Sequence, residues 1–503
     1  MSDALKPLIE GLREAATLNS VLFALEWDEQ TQMPPGGAEH RANQKALLAR
    51  LTHEKATAPA LGEALARAEA AVTGFAPDAD DAVIVRQARR AYDRAVKLPG
   101  SLVEETARVT AHAHHAWVDA RKHADAARFA PWLARVIDLC QQKARCLGAE
   151  GQSAYDTLVD EYEPGATTAE LNEVFGTLKA PLVALVAKVG ASGRAPRRDL
   201  MTRAFAVEVQ ERVGRIAAEK LGYDFARGRL DVSVHPFSIT LGPGDSRITT
   251  RYHANRFGDS FFGVLHETGH ALYEQGLLPE HFGTGLGEAA SLGLHESQSR
   301  LWENLVGRSR PFWAHFWPIV RDAFGATLAD VREEEFLFAA NDIRPSPIRV
   351  EADEVTYNLH ILLRFEIEQA LISGDLKPHD VDAAWNDKLR ALLGITPRDA
   401  AEGCLQDVHW SGASFGYFPT YTLGNLYGAQ LFEAARRDLG DGLDVDFARG
   451  DFSALRGWLR KHVHAHGQRY LAKDLVTRVS GKPFSADAFL RHVNSKAETW
   501  FGV

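Results

Sequence analysis

The stretch HETGH at residues 266–270 places two imidazoles either side of an acid, inside FFGVLHETGHALYEQG. On a helix, positions i and i+4 share a face about 5–6 Å apart. His266 and His270 could therefore reach one Zn2+, while Glu267, set to one side, could face a water on that ion. The flanks are strongly apolar, so the motif reads as part of a buried helix, where a polar trio needs partners. Gly269 sits mid-helix, at a cost of about 1 kcal/mol relative to alanine. It is tolerated where another backbone or a ligand comes close.

A catalytic zinc site needs a third protein ligand and one open position. The next helical stretch, GEAASLGLHESQSRLWENLVG, offers Glu288, His295, Glu296 and Glu303. Glu296 completes a His, His, Glu set after one loop and a return helix. His295 stays open as the alternative, about 100° round the same helix. A carboxylate-bridged di-iron site would need a second Glu-x-x-His. Of the 20 histidines, only His270 has Glu three positions earlier.

Water attack on a carbonyl also needs a donor for the oxyanion. QDVHWSGASFGYFPTY (406–421) supplies His409 and Tyr417, separated by glycines and able to converge. Tyr417 is the candidate oxyanion donor and His409 a candidate substrate contact; the bland alternative is core packing. A substrate carboxylate calls for a forked guanidinium. Arg349 in SPIRVEAD is the first candidate, the alternative being an ion pair with Glu351, Asp353 or Glu354. Arg247, in the β-branched stretch around DSRIT, is the second. That strand could also pair with a substrate backbone. The histidines of AHAHHAW and HVHAHG have no acid or cysteine to complete a site. HVHAHG reads as a solvated helix end.

These residues need a scaffold. Long stretches repeat apolar residues at three and four spacing, among them 38–56, 80–99 and 129–148, with Pro-Gly breaks between helices. Only RLDVSVHPFSITLGPGDSRITTRY (229–252) alternates, and it reads as a small sheet or hairpin beside the HETGH helix. The expectation is a mostly α fold, helical bundle-like, forming one unit over residues 1–503. Its parts are a helical N-terminal part to about 225, the motif-bearing part 226–425, and a helical C-terminal part 426–503. A net charge of −10 argues against nucleic-acid binding and mildly favours basic substrates or peptide N-termini. Three cysteines without CxxC fit a reducing cytoplasm. The N-terminus lacks a secretory h-region, and no apolar run suggests a membrane span.

WDEQTQMPPGG (27–37), YDTLVDEYEPG (155–165), HPF (235–237), DSRIT (245–249), HETGH, HESQ (295–298), IRVEAD (348–353) and GCLQDVHW (403–410) occur in this order. With them the sequence resembles the carboxypeptidase Taq family of thermostable metallocarboxypeptidases over nearly its whole length. The resemblance implies a helical, groove-bearing peptidase with a gluzincin-type HExxH site, usually a homodimer. Such an enzyme removes residues one at a time from peptide C-termini, using zinc or cobalt, one ion per chain. Carried over by motif, His266, His270 and Glu296 are the ligands and Glu267 is the acid/base. Gluzincins often have Asp four residues after the third ligand, to orient a ligand histidine. Here Arg300 stands there, which leaves the partner of His270 open.

Overall fold

The computed structural model describes residues 3–503 and is mostly helical, with one three-stranded sheet. The periodic stretches fold as helices: Ala38–Ala56, Asp80–Lys97, Gly100–Lys122 and Ala126–Leu147. Their limits follow local chemistry. Pro99 precedes Gly100 in extended geometry, and Asp125 caps the next helix by accepting from the Ala127 amide. Proline cannot continue a helix behind it, and an Asp at the N-cap satisfies a free N–H.

The chain resolves into two compact units, each gathered from three stretches. The first comprises the chain up to Val96, Pro196–Ala340 and Tyr427–Phe484. The second comprises Lys97–Ala195, Asn341–Leu426 and Ser485–Val503. The first unit is built on an aromatic core. Phe257 and Phe261 of the HETGH helix meet Phe205, Phe324, Trp313 and Phe316, with ring centroids 4.9–6.3 Å apart. Such rings combine large buried area with geometry-dependent attraction. In the second unit the helix Thr356–Ser373 is buried along almost its whole circumference. The long apolar helix Thr168–Ala191 packs on it, Phe175 against Phe365.

The alternating segment 229–252 gives β1 (Leu230–Val232), β2 (Ser238–Gly242) and β3 (Asp245–Thr250), in the order β1-β3-β2. β2 and β3 form an antiparallel hairpin with Ile239 opposite Arg247, while β1 runs parallel to β3 with Leu230 opposite Ile248. β3 packs directly on the HETGH helix. Trp27 is buried beside this sheet, edge-on to Phe237 and within 5.4 Å of the Arg247 guanidinium.

Candidate active site

The HETGH motif lies in the helix Phe257–Glu274 of the first unit. Its return partner is the helix Leu292–Arg300, capped by Ser291, whose hydroxyl accepts from the Leu294 amide. This helix runs on as a π-helical turn, Leu301–Val306. The two helices touch backbone to backbone at Gly269. A Cβ there would lie 2.5 Å from Ser299 Cα and 2.6 Å from the Gln298 carbonyl oxygen. The expensive mid-helix glycine is thus explained by the approach of the helix that carries Glu296.

His266, His270 and Glu296 converge. The two Nε2 atoms are 3.2 Å apart, and Glu296 Oε2 lies 3.5 Å from His270 and 3.8 Å from His266. The ring protons follow from the outer partners. His266 donates from Nδ1 to Glu303 Oε2 at 2.9 Å, so its Nε2 bears the lone pair. His295 donates from Nε2 to Glu274 Oε1 at 2.9 Å. Its Nδ1 is then an acceptor for His270 Nδ1, 2.5 Å away, and His270 Nε2 likewise bears a lone pair. Arg300 takes Glu296 Oε1 at 2.7 Å and turns Oε2 inward. With these tautomers, two Nε2 lone pairs and the Glu296 Oε2 face one point, a set of acceptors that a cation would satisfy. Ligands about 2.0–2.2 Å from a tetrahedral ion would be separated by about 3.3–3.6 Å. The triangle could therefore hold a metal.

Arg300 occupies the place where gluzincins often carry Asp, and the work of that residue is divided. Glu303 orients His266, while Arg300 bridges the Glu296 and Glu303 carboxylates at 2.7 and 3.2 Å. Burial tends to raise the Glu303 pKa, but Arg300, His266 and Arg308 outweigh it and hold the carboxyl near 2. Glu267 is different. It is buried, and its carboxylate makes no hydrogen bond among the described residues. Burial, aided by the Glu296 and Glu303 charges and opposed by His266, pushes it up to about 7.

The remaining candidates divide between the units. Arg247 is in the first, its Nε and Nη2 spent on Asp245 at 2.8 and 2.7 Å. Arg349, His409 and Tyr417 are in the second. Arg349 lies in the short 3₁₀ turn Arg349–Glu351, and the long helix begins only at Thr356. It therefore does not sit at the N-terminus of that helix. Its ion partner is Asp407, not Glu351, Asp353 or Glu354. Nε and Nη2 donate to Asp407 Oδ1 at 3.0 and 2.7 Å, and Nη1 donates to Tyr357 at 2.6 Å. Of five N–H groups, one on Nη1 and one on Nη2 remain unspent. Arg364 holds the other Asp407 oxygen at 2.5 Å, and Gln406 accepts from the Arg349 amide and from Arg364. Sequence reading did not single out Arg364, though a lone arginine in LHILLRFEI was its signal. The His409 and Tyr417 rings do meet, centroids 5.4 Å apart. His409 Nε2 pairs with the Tyr421 hydroxyl at 3.2 Å, and its buried Nδ1 makes no hydrogen bond but lies 4.0 Å from Asp407 Oδ1. Tyr421 is a further member of this cluster.

HVHAHG does not form a solvated end at its middle histidine. His464 is buried, donating from Nε2 to Gln298 at 3.0 Å, against Gly276, where a Cβ would lie 2.2 Å from its Nδ1. The glycine admits the ring, which periodicity could not reveal.

The profile of the carboxypeptidase Taq (M32) metallopeptidases matches residues 8–497. The chain is 47% identical over 507 residues to thermostable carboxypeptidase 1 of Thermus thermophilus, covering 99% of each chain. It is 36% identical over 491 residues to carboxypeptidase 1 of Bacillus subtilis, covering 98% of this chain and 97% of that one. Its fold is similar to the crystal structure of M32 carboxypeptidase from Deinococcus radiodurans R1, with TM-score 0.95, 40% identity and 100% of both chains covered. A His, His, Glu triangle shared between the HExxH helix and its return helix, and relatives matched end to end, lead to one conclusion: this chain belongs to the carboxypeptidase Taq (M32) family and is a metal-dependent carboxypeptidase, a hydrolase of peptides.

Proposed function

We propose that His266, His270 and Glu296 hold one catalytic ion per chain, zinc, with cobalt as the alternative that such a donor set also accepts. The observation that carries this assignment is the convergence of two imidazole Nε2 atoms and one Glu296 oxygen within 3.2–3.8 Å of one another. When bound, the ion acts as a Lewis acid toward water and the scissile carbonyl. Glu267, buried beside the triangle, takes the proton from the attacking water and gives it to the leaving amine nitrogen. The Tyr417 phenol O–H donates a hydrogen bond to the oxyanion, and His409, kept neutral by burial, contacts the substrate.

The free C-terminal carboxylate of the peptide binds the two unspent N–H groups of Arg349. This guanidinium is held in place by Asp407 and Tyr357, so the fork is ordered before substrate arrives. Arg247, fixed by Asp245 over Trp27, is a second substrate contact. We further propose that both units act together as one metallocarboxypeptidase over 1–503, assembling as a homodimer in the cytoplasm. Its free cysteines suit that compartment. Sedimentation at equilibrium tests the dimer.

The assignment is tested with one peptide carrying a free C-terminus and the same peptide amidated, with products read by mass. Stepwise single-residue loss from the free peptide alone is expected. Glu267→Gln should keep its metal and lose about 10²–10⁴-fold in kcat. Equal internal cleavage of both peptides would remove the carboxylate clamp. A Glu267→Gln enzyme with unchanged kcat would remove the assigned base.

A further inference from the structure

We propose that His295 is a positioning residue of the metal site: its imidazole bridges His270 and Glu274, one turn apart on the HETGH helix, and so fixes the orientation of a ligand. The proposal rests on the assignment of His266, His270 and Glu296 as the ligands. His266, His270 and Glu274 form one stripe at four-residue spacing on the helix Phe257–Glu274. His295 presents Nδ1 to His270 Nδ1 and Nε2 to Glu274 Oε1. The His270 and His295 rings are 23° from coplanar with centroids 4.6 Å apart, and the Tyr273 ring lies 5.4 Å from His295. Both nitrogens are therefore engaged away from the triangle, which excludes His295 as a ligand in this arrangement.

What the bridge does follows from where His295 sits. It immediately precedes Glu296, so the same turn of Leu292–Arg300 carries one ligand and grips another. A shift of that helix along its neighbour would move Glu296 and break the bridge together. A ligand histidine ordinarily gives its second N–H to a carboxylate, a carbonyl or water. Here the acceptor is a second imidazole, and Glu274 makes it one by accepting the hydrogen bond from its Nε2–H, which leaves the lone pair on Nδ1. With Glu274 as acceptor, His295 Nδ1 has a lone pair, His270 donates, and His270 Nε2 is left free for the metal. The chain His270–His295–Glu274 is the counterpart of the direct His266–Glu303 contact.

The measurement is zinc affinity by chelator competition on full-length enzyme, together with the visible absorption of the Co2+-loaded protein and the melting temperature of the metal-free protein. His295→Ala is expected to weaken zinc about 10–100-fold and to change the Co2+ spectrum, with X-ray absorption still giving two imidazoles and a carboxylate. Glu274→Ala should do the same, while Glu274→Gln, which keeps the accepting oxygen, should restore most of the affinity. If His295→Ala fails to fold, the Glu274 pair decides alone. Wild-type affinity and spectrum in His295→Ala or Glu274→Ala would overturn the proposal, provided His270→Ala has lost its metal. Loss of one imidazole from the metal shell in His295→Ala would overturn it too, by making His295 a ligand. Retention of zinc by both His266→Ala and His270→Ala would instead sink the ligand assignment on which it rests.

Discussion

Asp407 serves two guanidiniums, and that sharing determines what Arg349 has left to offer. The trio carries one more cation than anion, in a buried setting where charge counts heavily. Charged hydrogen bonds are worth about 1.5–3 kcal/mol, so Arg349→Ala should lower kcat/KM for free-carboxylate peptides about 10–100-fold, through KM. Arg349→Lys should recover little, since an ammonium cannot hold Asp407, Tyr357 and a planar carboxylate together. Steady-state kinetics on one peptide series checks both, and an unchanged KM in Arg349→Ala would refute the clamp. Removing the shared acid is a different experiment. Asp407→Ala leaves two buried arginines facing each other and should cost about 3–5 kcal/mol of folding stability, read by urea unfolding. The residue type of Arg349 marked it in the sequence as a candidate for carboxylate recognition. Its partner did not, because Asp407 lies 58 positions away and only the tertiary fold brings them together. The same holds for His295. It was visible as a possible ligand, but its contact with Glu274 across the helix pair, on which the proposed positioning role rests, was not.

At the scale of elements, the site is two helices pressed together by glycines. Gly269 admits the backbone of Leu292–Arg300 on one side, and Gly428 admits it on another, its hypothetical Cβ 3.0 Å from the Ser297 carbonyl. Gly269→Ala would have to push backbone aside. Overpacking of this kind costs typically about 1–3 kcal/mol, and the displaced element is the one carrying Glu296. The expected result is a lower melting temperature and weaker zinc binding in the same variant, by calorimetry and chelator competition. A stable variant with wild-type affinity would show that the helices can separate without moving the ligands. Helix periodicity and the Gly269 anomaly were both readable in the sequence, because burial of one face imposes the spacing. The sheet order was not. Alternation marks β1, β2 and β3 as strands, but the parallel β1–β3 pairing depends on how the 233–237 turn crosses the hairpin. The π turn at Leu301–Val306 also lacks a local signal, since its residues suit an ordinary helix equally well.

On the scale of the molecule, each compact unit is stitched from three stretches, so no composition change along the chain marks it. Each unit also buries a neutral histidine. His464 in the first donates to Gln298, and His360 in the second donates from Nε2 to the Ser346 carbonyl at 3.0 Å. Burial, with nearby Arg460 and Arg364 respectively, pushes both down to about 3. An unfolded histidine titrates near 6.5. Between those values the unfolded chain binds the extra protons, so stability is full above pH 6.5 and falls as pH drops toward 3. Between pH 6.5 and 5.5 each ring should remove about 1 kcal/mol. His464→Gln keeps an amide donor for Gln298 but cannot titrate. Urea unfolding of the metal-free enzymes at both pH values should then show a loss about 1 kcal/mol smaller in the variant than in the wild type. Using metal-free protein keeps ligand protonation common to both, so the difference reports His464. An equal loss in the two proteins would mean that His464 accepts a proton in the folded state, and that the closure of Gly276 over its ring does not keep it neutral.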